Sequence, residues 1–322
     1  MPQHTTHSRH PATSLTRKEL EMSKAIVFTE YGTPDVLRLT EVTPPEPGPG
    51  QVRIRVRAAS VNPLDMKIRS GRMAAAAPAQ FPVIPGLDAA GIVDAVGEGA
   101  DAAVGDEVLG STPGGSYSEY ALLDRPVAKP SALSFETAAS LVTVGQTAQR
   151  VLAQLGVEPG RTLLVHGAGG SVGFVAVQLA VAAGVTVVAT AGEHDIERVT
   201  ALGATAVRYG DGWVERVEAA APQGVDVVFD TSGAGVLAES VALVGDSAKV
   251  ITIADMTAAQ HGVRFSAGAG DQSGVSLPEL VRLAADGKLT VPIWRTYPLA
   301  EAALAQADLE AHHNHGKAVL LP

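Results

Sequence analysis

The run Val165-His166-Gly167-Ala168-Gly169-Gly170-Ser171-Val172-Gly173 decides how this chain is read. Upstream, Thr162–His166 is a short apolar β-type run. Downstream, VGFVAVQLAVAA has helical character and VTVVAT is β-type again. Glycines at the joint of a strand and a helix let the backbone approach a pyrophosphate and let the helix lie close on the strand. Free N–H groups at the start of that helix then face the anion. No Asp, Glu, Lys or Arg occurs from Thr162 to Gly192, a length that also fits a membrane span. The opening glycines, Gln178, Gly184 and the change of period oppose a span, so a buried strand–helix–strand unit is expected.

Outward from this run the chain keeps alternating. Strands are expected at 162–166, 185–190, 205–207, 225–230 and 248–253, with helices at 171–183, 194–202, 212–220 and 235–243 between them. Such alternation implies a parallel sheet covered on both faces, the doubly wound α/β class of dinucleotide-binding Rossmann domains. Before it, Lys24–Thr29, Val52–Val56, Ile92–Val96 and Glu107–Leu109 are short β runs, broken by the Pro44–Gly50 stop and by Gly97, Gly99 and Gly105. Their spacing predicts a small, partly open β-barrel. A helix is expected from Phe135 with Ser134 as N-cap, and others at 276–286 and Pro298–Asp308. The stretch His261–Gly274, glycine-rich and polar, reads as a loop. The closing run Lys317–Leu321 does not extend the parallel series and is expected to return to the first domain. The expected organisation is therefore a flexible N-terminal extension over 1–21, a discontinuous barrel domain over 22–145 and 276–322, and a dinucleotide-binding domain over 146–275.

Composition narrows the function classes. The 322 residues suit two domains, and 46% hydrophobic residues suffice for a substantial core. Aromatics are only 4%, so that core must be built from Ala, Val and Leu. Cysteine is absent, which excludes disulfides, a thiolate nucleophile, Cys-ligated zinc and iron–sulfur clusters. A formal charge of −10 argues against nucleic acid as a partner. The first twenty residues, with His4, His7 and His10, are polar and lack the apolar core of a signal peptide; they read as a frayed extension. A cytoplasmic enzyme with no membrane partner is expected.

The dinucleotide is read from the second strand. An NAD site offers Asp or Glu about 20 residues beyond the glycines to hold the ribose hydroxyls. Here that strand ends in Thr190, which permits the 2′-phosphate of NADP(H). Glu193 lies close by, and Arg198 and Arg208 are the cationic candidates.

Several ordered motifs together resemble the medium-chain dehydrogenase/reductase superfamily, in its zinc-free quinone oxidoreductase and enone reductase branch. They are KAIVFTEYGTPDVLRL (Lys24–Leu39), AASVNPLDMKIRSG (Ala58–Gly71), PGLDAAGIVDAVGEGA (Pro85–Ala100), VGDEVLG (Val104–Gly110), the glycine loop and the ending Tyr297–Leu321. The resemblance implies a GroES-like partly open β-barrel domain plus a Rossmann doubly wound parallel-sheet domain. It also implies NADP(H) as cofactor, a quinone or α,β-unsaturated carbonyl as small-molecule substrate, and a homodimer formed near Lys249–Ser266. Zinc-dependent relatives place a catalytic Cys where this chain has Asn62 and a His where it has Leu87, and they carry four structural cysteines absent here. Two of the ligand positions being Asn and Leu, no three-ligand catalytic zinc assembles, so no metal is expected. Without that Lewis acid, hydride transfer to an activated double bond is favoured over alcohol oxidation.

The resemblance also places candidate residues. Lys67 in Asn62-Pro63-Leu64-Asp65-Met66-Lys67 stands either as an ammonium that stabilises an enolate oxygen or donates its proton, or as a surface lysine at the cleft mouth. Asn62 and Tyr117 complete the catalytic candidates, with Asp65 orienting Asn62 or the ribose or else shaping a turn, and with packing as the alternative role for Tyr117. Thr143 is expected by the nicotinamide, and Ala168, Gly169, Gly170, Ser171 and Val172 at the pyrophosphate. Thr190 and Tyr209 are expected at the adenosine phosphate region, and Ser232, Gly233 and Ile253 near the ribose and ring. Two other functions fit the same fold: an enoyl-thioester or biosynthetic tailoring reductase, and a non-catalytic NADPH-binding protein. Arg53, Arg55 and Arg57, which share one strand face, are either a solvated face or a contact for a carrier or coenzyme A.

Overall fold

The computed structural model describes residues 22–75, 78–268, 274–311 and 315–322. The extension expected over 1–21 lies outside the described residues, as do 269–273 of the expected loop.

The first half begins with a hairpin-like pair, β1 (Ser23–Val27) and β2 (Arg38–Val42), in antiparallel register. β3 (Val52–Ser60) is the spine of a seven-stranded sheet with β4 (Asp88–Val96), β5 (Glu107–Ser111), β6 (Tyr120–Leu123) and β7 (Val127–Ala128). Along β3, Val52, Ile54 and Val56 point into the core while Arg53, Arg55 and Arg57 point outward, the alternation a one-sided sheet requires. Register shifts at Arg53/Ile54 and Val56/Ala58 bend the strand, so that its first part pairs with β6 and its end pairs with β15 (Lys317–Leu321). The last strands of the chain, β14 (Ile293–Pro298) and β15, are parallel to each other and complete this sheet. Its core of Ile26, Phe28, Ile54, Val93, Tyr297 and Leu320 therefore draws on both ends of the chain.

The second half forms a six-stranded parallel sheet in the order β10 (Thr205–Arg208), β9 (Thr186–Ala191), β8 (Thr162–His166), β11 (Val227–Asp230), β12 (Val250–Thr252), β13 (Arg264–Phe265). Helices α3 (Ser171–Ala182), α4 (Ile196–Thr200), α5 (Trp213–Ala220) and α6 (Leu237–Val244) connect the strands. Leu163, Val165 and Phe229 pack into one core, while Leu164, Val188 and Val228 pack into another. Both faces are buried, which is why these strands read as continuous apolar runs. The order reverses between β8 and β11, and a crevice opens there at the carboxyl ends of the strands.

The long helix α2 (Phe135–Gln154) joins the two halves. Ser134 caps it, its hydroxyl accepting from the Thr137 N–H at 3.1 Å. Ala138, Leu141, Val142, Ala148 and Val151 bury its face in a core shared with Leu109 of β5 and Val165 of β8. With so few aromatics, small side chains let this helix lie close to both sheets. Helices α7 (Leu277–Ala285) and α8 (Ala302–Glu310) fall in the two C-terminal helical stretches.

Several elements differ from expectation, and β2, β6, β7 and β14 lie outside the expected strands. The segment expected as helix 194–202 opens with a 3-10 turn at Glu193–Asp195 and is α-helical only over α4. The expected 261–274 loop contains β13, a two-residue edge strand too short for any period to register. The Pro63–Arg69 segment forms a short helix, α1, of seven residues, about two turns, too brief for an amphipathic pattern. Leu164 is wholly buried at the centre of the parallel sheet. Leu164→Ala is expected to lower stability by about 2–5 kcal/mol in denaturant unfolding, and a loss under about 1 kcal/mol would contradict this packing.

Candidate active site

A cleft of about 2590 Å³ lies against the carboxyl ends of β8, β9, β11 and β12 and is closed on its other side by α1, one face of α2 and the start of β15. Its nucleotide end is built by the glycine loop. Gly167 adopts φ +76°, a left-handed conformation that favours glycine, to turn the chain out of β8. A Cβ on Gly173 would collide with the Gly167 carbonyl oxygen, so only glycine lets α3 approach the loop. The Ala168 N–H donates to the Thr190 carbonyl at 3.0 Å, tying the loop to β9. Gly170 is the N-cap of α3 and brings no side chain, and the first turn holds no acid. The first-turn N–H groups, which have no partner within a helix, thus suit an anion such as a pyrophosphate.

Beneath this cradle, His166 is buried between Thr190 and Ser240, Nδ1 lying 3.1 Å from Thr190 Oγ1 and Nε2 3.2 Å from Ser240 Oγ. The Ser240 hydroxyl donates to the Val236 carbonyl, so it accepts from Nε2–H and leaves Nδ1 to accept from Thr190. Burial pushes the His166 pKa down to about 4, with Asp230 opposing, so the ring is neutral. Thr190 therefore lines the cleft with its hydroxyl proton turned inward. Asp230 gathers the neighbouring loop, accepting from the Ser232 N–H and hydroxyl, the Gly233 N–H and the Thr252 hydroxyl. At the outer rim Arg208 pairs with Glu193 at 3.1 Å, both solvated, beside the exposed Tyr209. Arg198 is engaged: it donates to the Gly169 carbonyl, pairs with Asp195 at 2.7 Å and lies over the Phe174 ring.

The other end is organised by a buried carboxylate. Asp88 Oδ2 accepts from Ser60 Oγ at 2.8 Å and Asn62 Nδ2 at 2.9 Å, and its Oδ1 accepts from Thr143 Oγ1 at 2.6 Å. Lys317, 3% exposed, donates to Asn62 Oδ1 at 2.7 Å and to the Val61 carbonyl at 2.9 Å. Burial lowers the Lys317 pKa, opposed by Asp88 and Asp65. Asn62 thus bridges a buried cation and a buried anion, its oxygen toward the first and its nitrogen toward the second. Asp65 in α1 accepts from the Asn62 backbone N–H and from the Tyr117 hydroxyl, both at 2.9 Å, while its Oδ1 is buried without a partner. Burial is the main reason its pKa is pushed up to about 7.

The sequence-derived residues divide accordingly. Asn62, Lys67, Thr143, Gly169, Gly170, Ser171, Val172, Thr190, Tyr209, Ser232 and Ile253 line the cleft together. Ala168 is buried behind the loop, and Gly233 stands outside the lining. Tyr117 does not reach the cleft: it is wholly buried and donates to Asp65, and burial raises its pKa well above the ordinary value. Its backbone carbonyl accepts from the Ile26 N–H, which draws the Gly115-Ser116-Tyr117 turn into the barrel. Lys67 is half-buried on the cleft wall with no acceptor among the described residues, and burial, then Arg72, lowers its pKa. Sequence reasoning missed Asp88, Lys317, His166 and Asp230 as organisers. Asp88 adjoins the replaced ligand position Leu87, His166 ends the strand before the glycines and Asp230 precedes Ser232, whereas nothing near Lys317 marks it. Among the described residues no three His, Asp or Glu side chains converge, and no helix is long and apolar enough to cross a membrane.

Residues 48–132 match the alcohol dehydrogenase GroES-like domain, and residues 202–320 match the zinc-binding dehydrogenase domain. A quinone oxidoreductase of Pseudomonas aeruginosa is 32% identical over 94% of this chain and its own full length. An NADPH-dependent alkenal/one oxidoreductase of Arabidopsis thaliana is 32% identical over 93% of this chain and 79% of its own. The synaptic vesicle membrane protein VAT-1 homolog of Rattus norvegicus is 35% identical over 71% of this chain, and the match spans only 58% of that protein's length. Among solved structures, the quinone oxidoreductase of Coxiella burnetii superposes with a TM-score of 0.82 at 31% identity, covering 94% of this chain and 100% of that one. A mycobacterial protein complexed with NADPH does so at 0.81 and 30%, covering 93% and 100%. The fold is the two-domain architecture of dehydrogenases and reductases, a GroES-like domain beside a Rossmann sheet. The chain belongs to the medium-chain dehydrogenase/reductase superfamily, in its quinone oxidoreductase and enone reductase branch.

The two perturbed groups give opposite pH signatures. Asp65 binds its proton more tightly when folded, so its contribution to stability falls as pH rises from about 4 to about 7. His166 binds its proton less tightly when folded, so its contribution rises between about 4 and 6.5. Asp65→Asn removes the first effect and keeps the second. Its melting temperature is expected to climb relative to wild type across that range in calorimetry, and parallel curves would contradict the assignment.

Proposed function

We propose that this protein is an NADP(H)-dependent oxidoreductase that transfers hydride, without a metal, to a quinone or an α,β-unsaturated carbonyl. The observation that carries this reading is the commitment of Asn62. Its oxygen accepts from Lys317 and its nitrogen donates to Asp88, so at the position where zinc-dependent relatives hold a ligand both polar atoms are already engaged by the protein. Leu87, on the same cleft wall, has no polar side-chain atom. A bound nicotinamide supplies the hydride.

The chain's own residues supply the rest. The Thr143 hydroxyl, fixed by Asp88, keeps its lone pairs for the cleft, where a carboxamide N–H would be held. Lys67 presents its ammonium to the same space, and its lowered pKa makes it the readier proton donor to an enolate or quinone oxygen. Asn62 acts as a positioning residue, since neither of its polar atoms is left for substrate. Ser232 holds its hydroxyl proton on Asp230, and its oxygen accepts from the Ala234 N–H. The preference for NADP(H) is supported by Thr190 in place of an acid and by Arg208, exposed at the rim beside Tyr209. A cytoplasmic homodimer is part of the same reading and rests on the sequence.

The test is NADPH oxidation with a panel of quinones and enones. Turnover is expected with at least one, and Lys67→Met should lower kcat by about 100-fold with KM for NADPH little changed. Tight NADPH binding without turnover of any acceptor would establish the non-catalytic alternative instead. The cofactor preference is read separately by fluorescence titration: NADPH is expected to bind at least about tenfold tighter than NADH, and Arg208→Ala to erase most of that ratio. Equal binding of the two by the wild type would contradict NADP(H) specificity.

A further inference from the structure

One face of α2 lines the cleft with Thr143, Gln146, Thr147 and Arg150, residues spaced three and four apart. The first three are neutral and the last is not. Arg150 is 4% exposed, yet no carboxylate among the described residues pairs with it. Its only hydrogen bond there runs from Nε to Ser266 Oγ at 3.1 Å. Ser266 in turn donates to Gln154 Oε1 at 2.9 Å, so the guanidinium is held from behind by a fixed two-step relay. Both terminal nitrogens, with four N–H groups, have no acceptor among the described residues on a wall of the cleft. A buried guanidinium left unpaired is costly, and a planar carboxylate is the group its two-pronged donor geometry fits.

Lys67, Arg72 and Arg125 line this cleft too, and none forms an ion pair among the described residues, but Asp124, Asp211, Glu215 and Glu239 line it as well. Selection for an anion therefore rests on Arg150 itself rather than on the field of the whole cleft.

We propose that Arg150 anchors a carboxylate carried by the substrate, so that the preferred acceptors are enones or quinones bearing an anionic tail. This rests on the reductase reading above. Thr143 and Arg150 are seven residues apart on one helix, about 10 Å along its axis, which sets the scale of the tail. A neutral acceptor of the same shape leaves the guanidinium unpaired, and discrimination follows from that difference.

The experiment compares methyl enones of the form CH3–CO–CH=CH–(CH2)n–COO⁻, over a range of tail lengths, with their methyl esters. For the best tail, wild-type kcat/KM is expected to favour the acid over its ester by about tenfold or more, as a charge-assisted pair predicts. Arg150→Met should bring the acid-to-ester ratio to about one, and Arg150→Lys, which keeps a point charge but loses the fork, should give an intermediate ratio. If Arg150→Met does not fold, the Arg150→Lys ratio decides alone. A wild-type enzyme indifferent to the charge, or a ratio unmoved by either substitution, overturns the proposal. If no enone is reduced, the reductase reading fails, and the anchor is tested by calorimetry with the saturated keto acid 8-oxononanoate and its methyl ester. Tighter binding of the acid that disappears in Arg150→Met supports the anchor, and equal binding of acid and ester overturns it.

Discussion

The contact on which the rest of the molecule depends is the buried chain Lys317–Asn62–Asp88–Thr143. Lys317 opens the last strand, Asn62 precedes α1, Asp88 opens β4 and Thr143 lies in α2. One carboxylate and one ammonium, separated by a single amide, therefore tie β15 and β4, the two strands that flank the end of β3, to the helix that leads into the nucleotide half. Removing one member of such a pair leaves an uncompensated buried charge, at a cost of about 3–5 kcal/mol. The same chain sets the chemistry. By holding Thr143 and Asn62 in fixed rotamers, it leaves Lys67 as the free polar group of α1 on the cleft wall.

Asn62 is engaged on both sides by the protein's own groups, its oxygen facing the Lys317 ammonium and its nitrogen facing Asp88 and Ser60. The carboxylate that gathers the site, Asp88, is satisfied by three side chains and has no need of a metal to balance it. On the nucleotide side the corresponding organiser is Asp230, which fixes the Ser232 loop, while neutral His166 anchors the end of β9 from within. At each end of the cleft the gathering carboxylate, Asp88 or Asp230, stands behind the lining residues it holds.

The parallel sheet was legible because its signal is local. Glycines stand at a strand–helix joint, and strands buried on both faces read as unbroken apolar runs. The return of Lys317–Leu321 to the barrel was legible for a related reason, since that run had no place left in the parallel series. Short elements such as α1 and β13 were not, because fewer than about two turns or two residues of strand carry no period. The organisers of the site were also hidden. Lys317 and Asn62 are 255 positions apart, and nothing in either neighbourhood announces the other. Tyr117, read as a candidate donor from its glycine-rich turn, is instead carried into the barrel core, a consequence of tertiary hydrogen bonding that no local pattern encodes.

Hydride delivery to an activated carbon without a metal is tested by isotope transfer. Chelator-treated, metal-free protein is incubated with NADPH deuterated at the transferable position of the nicotinamide and with a simple enone, and the product is read by NMR. Full turnover is expected, with one deuteron at the β-carbon and solvent protium at the α-carbon. Loss of turnover on chelation with recovery on adding zinc, or a product carrying no deuterium, would contradict it.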